Sequence, residues 1–113
     1  MPKLHLYALI ETNDDHIFDV TGVGEDVFSV QRGGVAAVVS ETAVTDYAAL
    51  PQAELMQYLV GHQQVVEHLL AEFDVLPVKF GTVLPDEDIV WRLLGQSRPL
   101  YQQAFDRVRG LVQ

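Results

Sequence analysis

From Lys3 to Glu11 the side chains alternate about the backbone. Leu4, Leu6, Ala8 and Ile10 fall on one side, and His5, Tyr7, Leu9 and Glu11 on the other. A period of two predicts a strand, and apolar residues on both sides predict a central one. Thr12 to Asp26 is polar and punctuated by Asn13-Asp14-Asp15, Gly22 and Gly24. It reads as a long loop held down by Ile17, Phe18 and Val20. Val27 to Ser40 reads as a hairpin about Gly33-Gly34, since adjacent glycines supply the positive φ angles of a two-residue primed turn. That register sets Val30 opposite Ala37 and Phe28 opposite Val39, and the four form one apolar face.

Thr42 to Leu50 is a connector. Pro51 suits the first turn of a helix. Leu55, Leu59, Val66, Leu69 and Phe73 then recur at helical spacing, widened by Met56, Val60, Val65 and Leu70, so this helix is expected to lie across the sheet. Gly61 in its middle costs about 1 kcal/mol relative to alanine, and a close helix–sheet contact would account for it. Val75 to Thr82 reads as one strand, with Leu76, Val78 and Phe80 alternating with Pro77 and Lys79. Pro77 places it at a strand start or sheet edge, and Gly81 permits a sharp exit at positive φ. Pro85-Asp86-Glu87-Asp88 reads as a helix start, its carboxylates favoured by the helix dipole. Ile89, Val90, Leu93 and Leu94 give that helix its apolar face, and Gly95 or Ser97 ends it. Pro99 opens a last helix with Tyr101, Phe105, Val108 and Val112 on its stripe. The expected fold is α+β: a mostly antiparallel four-stranded sheet against one long helix, with two shorter C-terminal helices. The strand at 75–82 lies beside 3–11, and the hairpin lies on the other side.

Composition narrows the function classes. The 113 residues are 49% hydrophobic and 20% charged, an ordinary globular mix. A net charge of −9 without a basic stripe disfavours nucleic acid and anionic membrane as partners. With no cysteine, disulfides and thiolate metal sites are excluded.

The candidate chemistry is thin. His62, Glu67 and His68 suggest a metal site, but six residues of helix turn the two histidines to different sides, and no metal is expected. Asp86, Glu87 and Asp88 are explained by the helix start. Gly22-Val23-Gly24 and Gly33-Gly34 lack the lysine and helix start of a phosphate loop. Ser40 lacks the surroundings of a nucleophile. Lys79 is read as a solvated or ion-paired cation. Tyr7, Trp91, Tyr101 and Phe105 are read as core. No catalytic residue or cofactor is expected.

Three blocks carry a resemblance. They are Leu6-Tyr7-Ala8-Leu9-Ile10, Gly34-Val35-Ala36-Ala37-Val38-Val39-Ser40-Glu41 and, most specific, Val75-Leu76-Pro77-Val78-Lys79-Phe80-Gly81-Thr82-Val83. In order and spacing they resemble the N-terminal domain of the gas vesicle GvpL/GvpF family over nearly the whole chain. His62 sits where that family often has a histidine. Lys79 stands where arginine is commoner, which keeps the charge but not the bidentate fork. The resemblance implies a non-enzymatic accessory or minor structural protein of gas vesicle formation, cytoplasmic and at the vesicle. Its implied partners are the very apolar major shell protein and other accessory proteins. It also implies a second α+β domain beyond residues 1–113. The motif positions Tyr7, Ala37, Val38, Val39, Ser40, Leu76, Pro77, Lys79, Phe80, Gly81 and Thr82 are expected to be mainly structural, with Lys79 facing outward. Rival readings are a small-molecule-sensing regulatory domain, which needs a closed polar pocket, and a small enzyme, which needs convergent titratable groups.

Overall fold

The computed structural model describes residues 3–21, 26–44 and 46–111, so the readings placed on Gly22-Val23-Gly24 and on Val112 lie outside the described residues. Strand β1 (Lys3–Glu11) is followed by β2 (Ile17–Thr21), β3 (Asp26–Arg32), β4 (Val35–Thr42) and a single 3-10 turn at Tyr47–Ala49. Helix α1 (Gln52–Leu70) comes next, then β5 (Val75–Pro77), β6 (Val83–Leu84), α2 (Glu87–Gln96) and α3 (Arg98–Leu111). The strand order is β2-β3-β4-β1-β5, with β6 also on β1, and every pair is antiparallel. The fold is thus α+β, with more strands than the four expected.

Two apolar clusters lie on opposite faces of the sheet. Val65 and Leu69 of α1 pack with Tyr7, Ile10, Val27, Ala36 and Val38. Val90 and Leu94 of α2 and Phe105 of α3 pack with Leu4, Leu6, Leu9, Ala37 and Val39. The terminal helices therefore cover the second face. This explains why β1 and β4 are apolar on both sides: each is covered twice.

The hairpin has the expected register. Val30 pairs with Ala37 and Phe28 with Val39, all four in the α2–α3 cluster. Gly33 and Gly34 take φ of 63° and 89°, as a primed turn requires.

The faces of β1 differ from simple alternation. A bulge lies between Leu6 and Ala8, where the pairing to β4 steps from Val39 to Val38. The extra residue shifts the parity. Leu4, Leu6 and Leu9 face α2 and α3, while Tyr7, Ala8 and Ile10 face α1.

The expected loop at 12–26 contains β2, whose Phe18 is buried and whose Val20 packs against the α1-side core. Polar flanks hide this short edge strand in sequence, and its pairing with β3 forms it. The expected strand at 75–82 is also divided. Val83 and Leu84 pair with His5 and Leu4, and Pro77 pairs with Ala8. Two residues of β1, Leu6 and Tyr7, thus face the five residues Val78 to Thr82, and the surplus leaves the sheet as a loop.

The helix starts match the sequence more closely. Asp86 caps α2, its carboxylate accepting from the Ile89 amide at 2.9 Å, with Glu87 and Asp88 in the first turn. Pro51 stands one residue before α1 and Ser97 one residue after α2. Helix α1 buries only Gly61, His62, Val65, Val66 and Leu69, while Met56, Leu59, Val60 and Leu70 stay exposed. No helix among the described residues is long and apolar enough to cross a membrane.

Candidate functional site

The loop that leaves the sheet after β5 builds the site. Val78 keeps hold of β1, its amide donating to the Tyr7 carbonyl at 3.2 Å. At the far end the Leu6 amide donates to the Thr82 carbonyl at 3.0 Å, and the Thr82 hydroxyl donates to the Lys79 carbonyl at 2.8 Å. Between these clamps Gly81 turns the chain at φ 95°. Val78 packs on the α2–α3 side, but Phe80 is swung to the α1 side, against the alternation of Leu76, Val78 and Phe80.

There Phe80 lies over three rings. Its centroid is 5.7 Å from His5, 5.4 Å from His62 and 5.0 Å from Tyr47. The 3-10 turn delivers Tyr47, with Asp46 accepting from the Ala48 amide at 3.0 Å. A hydrogen-bonded line runs beneath Phe80: Thr42 Oγ1 to Tyr47 Oη at 3.1 Å, Tyr47 Oη to His5 Nδ1 at 3.0 Å, and His5 Nε2 to His62 Nδ1 at 2.9 Å.

The direction of this line follows from its end. His62 also bonds to the Val78 backbone. The Val78 amide is already engaged, so its carbonyl accepts from His62. The other ring nitrogen of neutral His62, Nδ1, must then accept from His5. His5 Nδ1 accepts from the Tyr47 hydroxyl, which accepts from Thr42. Both imidazoles are neutral in this arrangement. Burial, reinforced by the neighbouring His62, lowers the His5 pKa from 6.5 to about 3. Burial also lowers the His62 pKa, and the Val78 bond opposes that shift in part. Burial raises the Tyr47 pKa, against the Thr42 hydrogen bond.

Above the line is an open groove of about 470 Å³, lined by Asp46, Tyr47, Ala48, Leu55, Leu59 and Lys79–Thr82. Its walls are aromatic and aliphatic, with one carboxylate and one ammonium. Along α1 the groove continues into a ridge of Met56, Leu59 and Val60, exposed at 52%, 36% and 52%. Residues at i, i+3 and i+4 share one helix face, so this is a single apolar strip. The histidines lie below the floor, and what the groove presents is an aromatic and aliphatic wall with the Asp46 carboxylate and the Lys79 ammonium.

The motif positions divide into two groups. Tyr7, Ala37, Val38, Val39 and Ser40 are buried, with the Tyr7 and Ser40 hydroxyls 2.7 Å apart. Leu76 is half-buried and Pro77 exposed, both in β5. Lys79, Phe80, Gly81 and Thr82 instead line the groove, and Lys79 is exposed. Of the α1 residues weighed for a metal, His62 meets His5, while His68 lies against the Phe18 ring at 6.4 Å. No group of three metal-ligating side chains occurs among the described residues. Trp91 departs from the core reading. It is 46% exposed and carries the Arg32 guanidinium 3.5 Å above its ring.

Sequence reasoning missed His5, Tyr47 and Leu55 as neighbours of this site. His5 and His62 are separated by 57 positions, and no local pattern joins them.

The architecture recurs in solved structures. The gas vesicle protein GvpF from Anabaena sp. PCC7120 superposes with a TM-score of 0.73 at 22% identity, over 95% of this chain and 43% of that one. GvpF from Microcystis aeruginosa gives 0.72 at 24% identity, over 95% and 44%. These likenesses define the fold as the α+β domain found in GvpF. In sequence, residues 3–113 match the family described as gas vesicle synthesis protein GvpL/GvpF. Gas vesicle protein L1 of Halobacterium salinarum is 34% identical over 88 residues, 74% of this chain and 31% of that protein. The chain belongs to the GvpL/GvpF family, and it spans less than half the length of each of these relatives.

Proposed function

We propose that this domain is a non-enzymatic accessory factor of gas vesicle formation, acting in the cytoplasm and at the vesicle. It holds the apolar major shell protein before and during assembly, and it contacts other accessory proteins. The motif positions in β1, β4 and β5 keep the fold, and Lys79–Thr82 form one wall of the binding groove. Residues 1–113 correspond to the N-terminal domain of the family.

The observation that carries this reading is the groove continuing into the Met56–Leu59–Val60 ridge. A shell subunit apolar enough to exclude water aggregates unless its surface is covered, and an apolar strip on an acidic domain covers it while keeping the complex dispersed. A small ligand in the groove would leave the ridge exposed, which favours a protein over a small-molecule effector.

The test is a pull-down of the major shell protein at moderate salt, comparing the full chain with Leu59→Asp and Met56→Asp. Met56 is half exposed, so Met56→Asp should barely move the melting temperature; Leu59, 36% exposed, should cost some stability as Asp while the chain still folds, and both variants should lose capture. Undiminished capture by both folded variants would place the interaction elsewhere.

A further inference from the structure

The face opposite the groove has a second unoccupied surface. Helix α2 starts beside β6, at the outer edge of β1, and crosses the sheet toward the hairpin turn. The Arg32 guanidinium donates to the Trp91 carbonyl at 3.0 Å and lies against Gly95, which places this part of α2 over the turn end of β3. Helix α3 packs back toward β5. Among the described residues, neither α2 nor α3 lies over the corner where β3 begins and β4 ends. Here Ile17, Asp26, Phe28 and Glu41 line a depression of about 300 Å³. Ile17 is paired with Phe28 across β2 and β3 and is 86% exposed, the largest value among the exposed large apolar side chains of the described residues.

Charge gives this corner a direction. Asp26 and Glu41 stand exposed at its rim, and the described structure records no ion pair or hydrogen bond for either side chain. Glu41 pairs with Leu4, which pairs with Leu84, two residues before the Asp86-Glu87-Asp88 start of α2. The carboxylates thus gather at one end of one face. Lys3 also lies at this end, but it pairs with Thr42, whose hydroxyl meets Tyr47 on the α1 side. Strand alternation puts the Lys3 side chain on that face too.

We propose that this corner is a docking surface for a partner-protein segment presenting an apolar side chain flanked by lysine or arginine. The apolar side chain fills the depression over Ile17 and Phe28, and the cations meet Asp26 and Glu41. Such a site gives the domain two independent faces, an apolar one along α1 and an acidic-apolar one here. Electrostatic attraction makes the encounter fast and salt-sensitive, and the apolar contact selects the partner. This inference stands apart from the groove reading, because its residues, its face and its partner chemistry are different.

A synthetic amphipathic peptide of leucine and lysine, about 15 residues long and so able to form a helix, is the probe. Titrated into the isotopically labelled full chain, it should shift the amide signals of Ile17, Asp26, Phe28 and Glu41. Affinity should fall about tenfold in the Asp26→Asn/Glu41→Gln double variant, comparably in Ile17→Ser, and steeply with added salt. Glu54→Gln/Glu72→Gln removes the same charge from the α1 side and should leave affinity unchanged. A lysine–serine peptide of equal charge should not bind. No binding of the lysine–leucine peptide would overturn the proposal. So would equal weakening by both double variants, or shifts confined to the α1 face. Loss of shell-protein capture by Leu59→Asp with peptide binding intact would leave this inference standing, and the reverse result would leave the groove standing.

Discussion

Acid should destabilise this fold at a pH where carboxylates are still ionised, and the buried histidine pair sets the size of the effect. His5 is fully buried, and its pKa falls from 6.5 to about 3 in the folded state. Between those values the unfolded chain takes up a proton that the folded chain refuses. Stability is therefore fully present above about pH 6.5 and declines as the pH falls toward 3. Each histidine of this kind contributes a slope approaching about 1.4 kcal/mol per pH unit. From pH 7 to pH 5, His5 alone accounts for about 2 kcal/mol. His62 is lowered in the same direction and adds to the slope. Typical domains have about 5–15 kcal/mol in total, so the loss is easily measured. Ordinary carboxylates titrate near pH 4, so the interval from pH 6.5 to 5 isolates the histidines. Urea unfolding at half-unit steps across that interval, with the ring signals of His5 and His62 followed by NMR, provides the assay. A His5 ring that titrates near pH 6.5 in the intact fold would refute the reasoning. Constant stability between pH 6.5 and 5 would refute it as well.

Gly81 takes φ 95° with nothing within 4 Å of an added Cβ. Gly81→Ala should therefore cost only the backbone strain, about 1–2 kcal/mol, and Gly81→Val should cost more because its branch restricts the backbone further. An unchanged urea midpoint for both variants would remove the argument. At Gly95 an added Cβ would collide with the Arg32 guanidinium, which has to leave Trp91. Gly95→Ala gains about 1 kcal/mol in helix propensity but loses a cation–π contact of about 0.5–1 kcal/mol and the Arg32 hydrogen bond to the Trp91 carbonyl, about 0.5–1.5 kcal/mol. Stability should fall by no more than about 1.5 kcal/mol, while the emission of Trp91, the only tryptophan, should shift. Unaltered emission would show that Arg32 does not rest on that ring.

Much of the frame was legible in the chain. Gly33-Gly34 with alternating residues on either side specified the hairpin and its register, because both signals act within a few residues. Asp86 marked the start of α2 for the same reason, since a cap is a local hydrogen bond. The order of strands around β1 also followed the expected plan. The division of the terminal helices from α1 across the two faces did not, although β1, apolar on both sides, needed cover on both.

The groove was decided by pairing between distant segments. Alternation alone places Phe80 with Leu76 and Val78. Only the mismatch between two residues of β1 and five residues of the opposite segment throws Phe80 over to α1. The bulge beyond Leu6 likewise regroups the faces of β1, and no residue near it announces the change. In the sequence His5 is one position of the first strand, and His62 is weighed only with Glu67 and His68. They become one hydrogen-bonded unit because the sheet and α1 bring them within 2.9 Å. The sequence by itself determined the periodic elements, the turn, the helix starts and the family. The tertiary structure determined which residues share a face, since a single inserted residue changes strand parity for everything that follows.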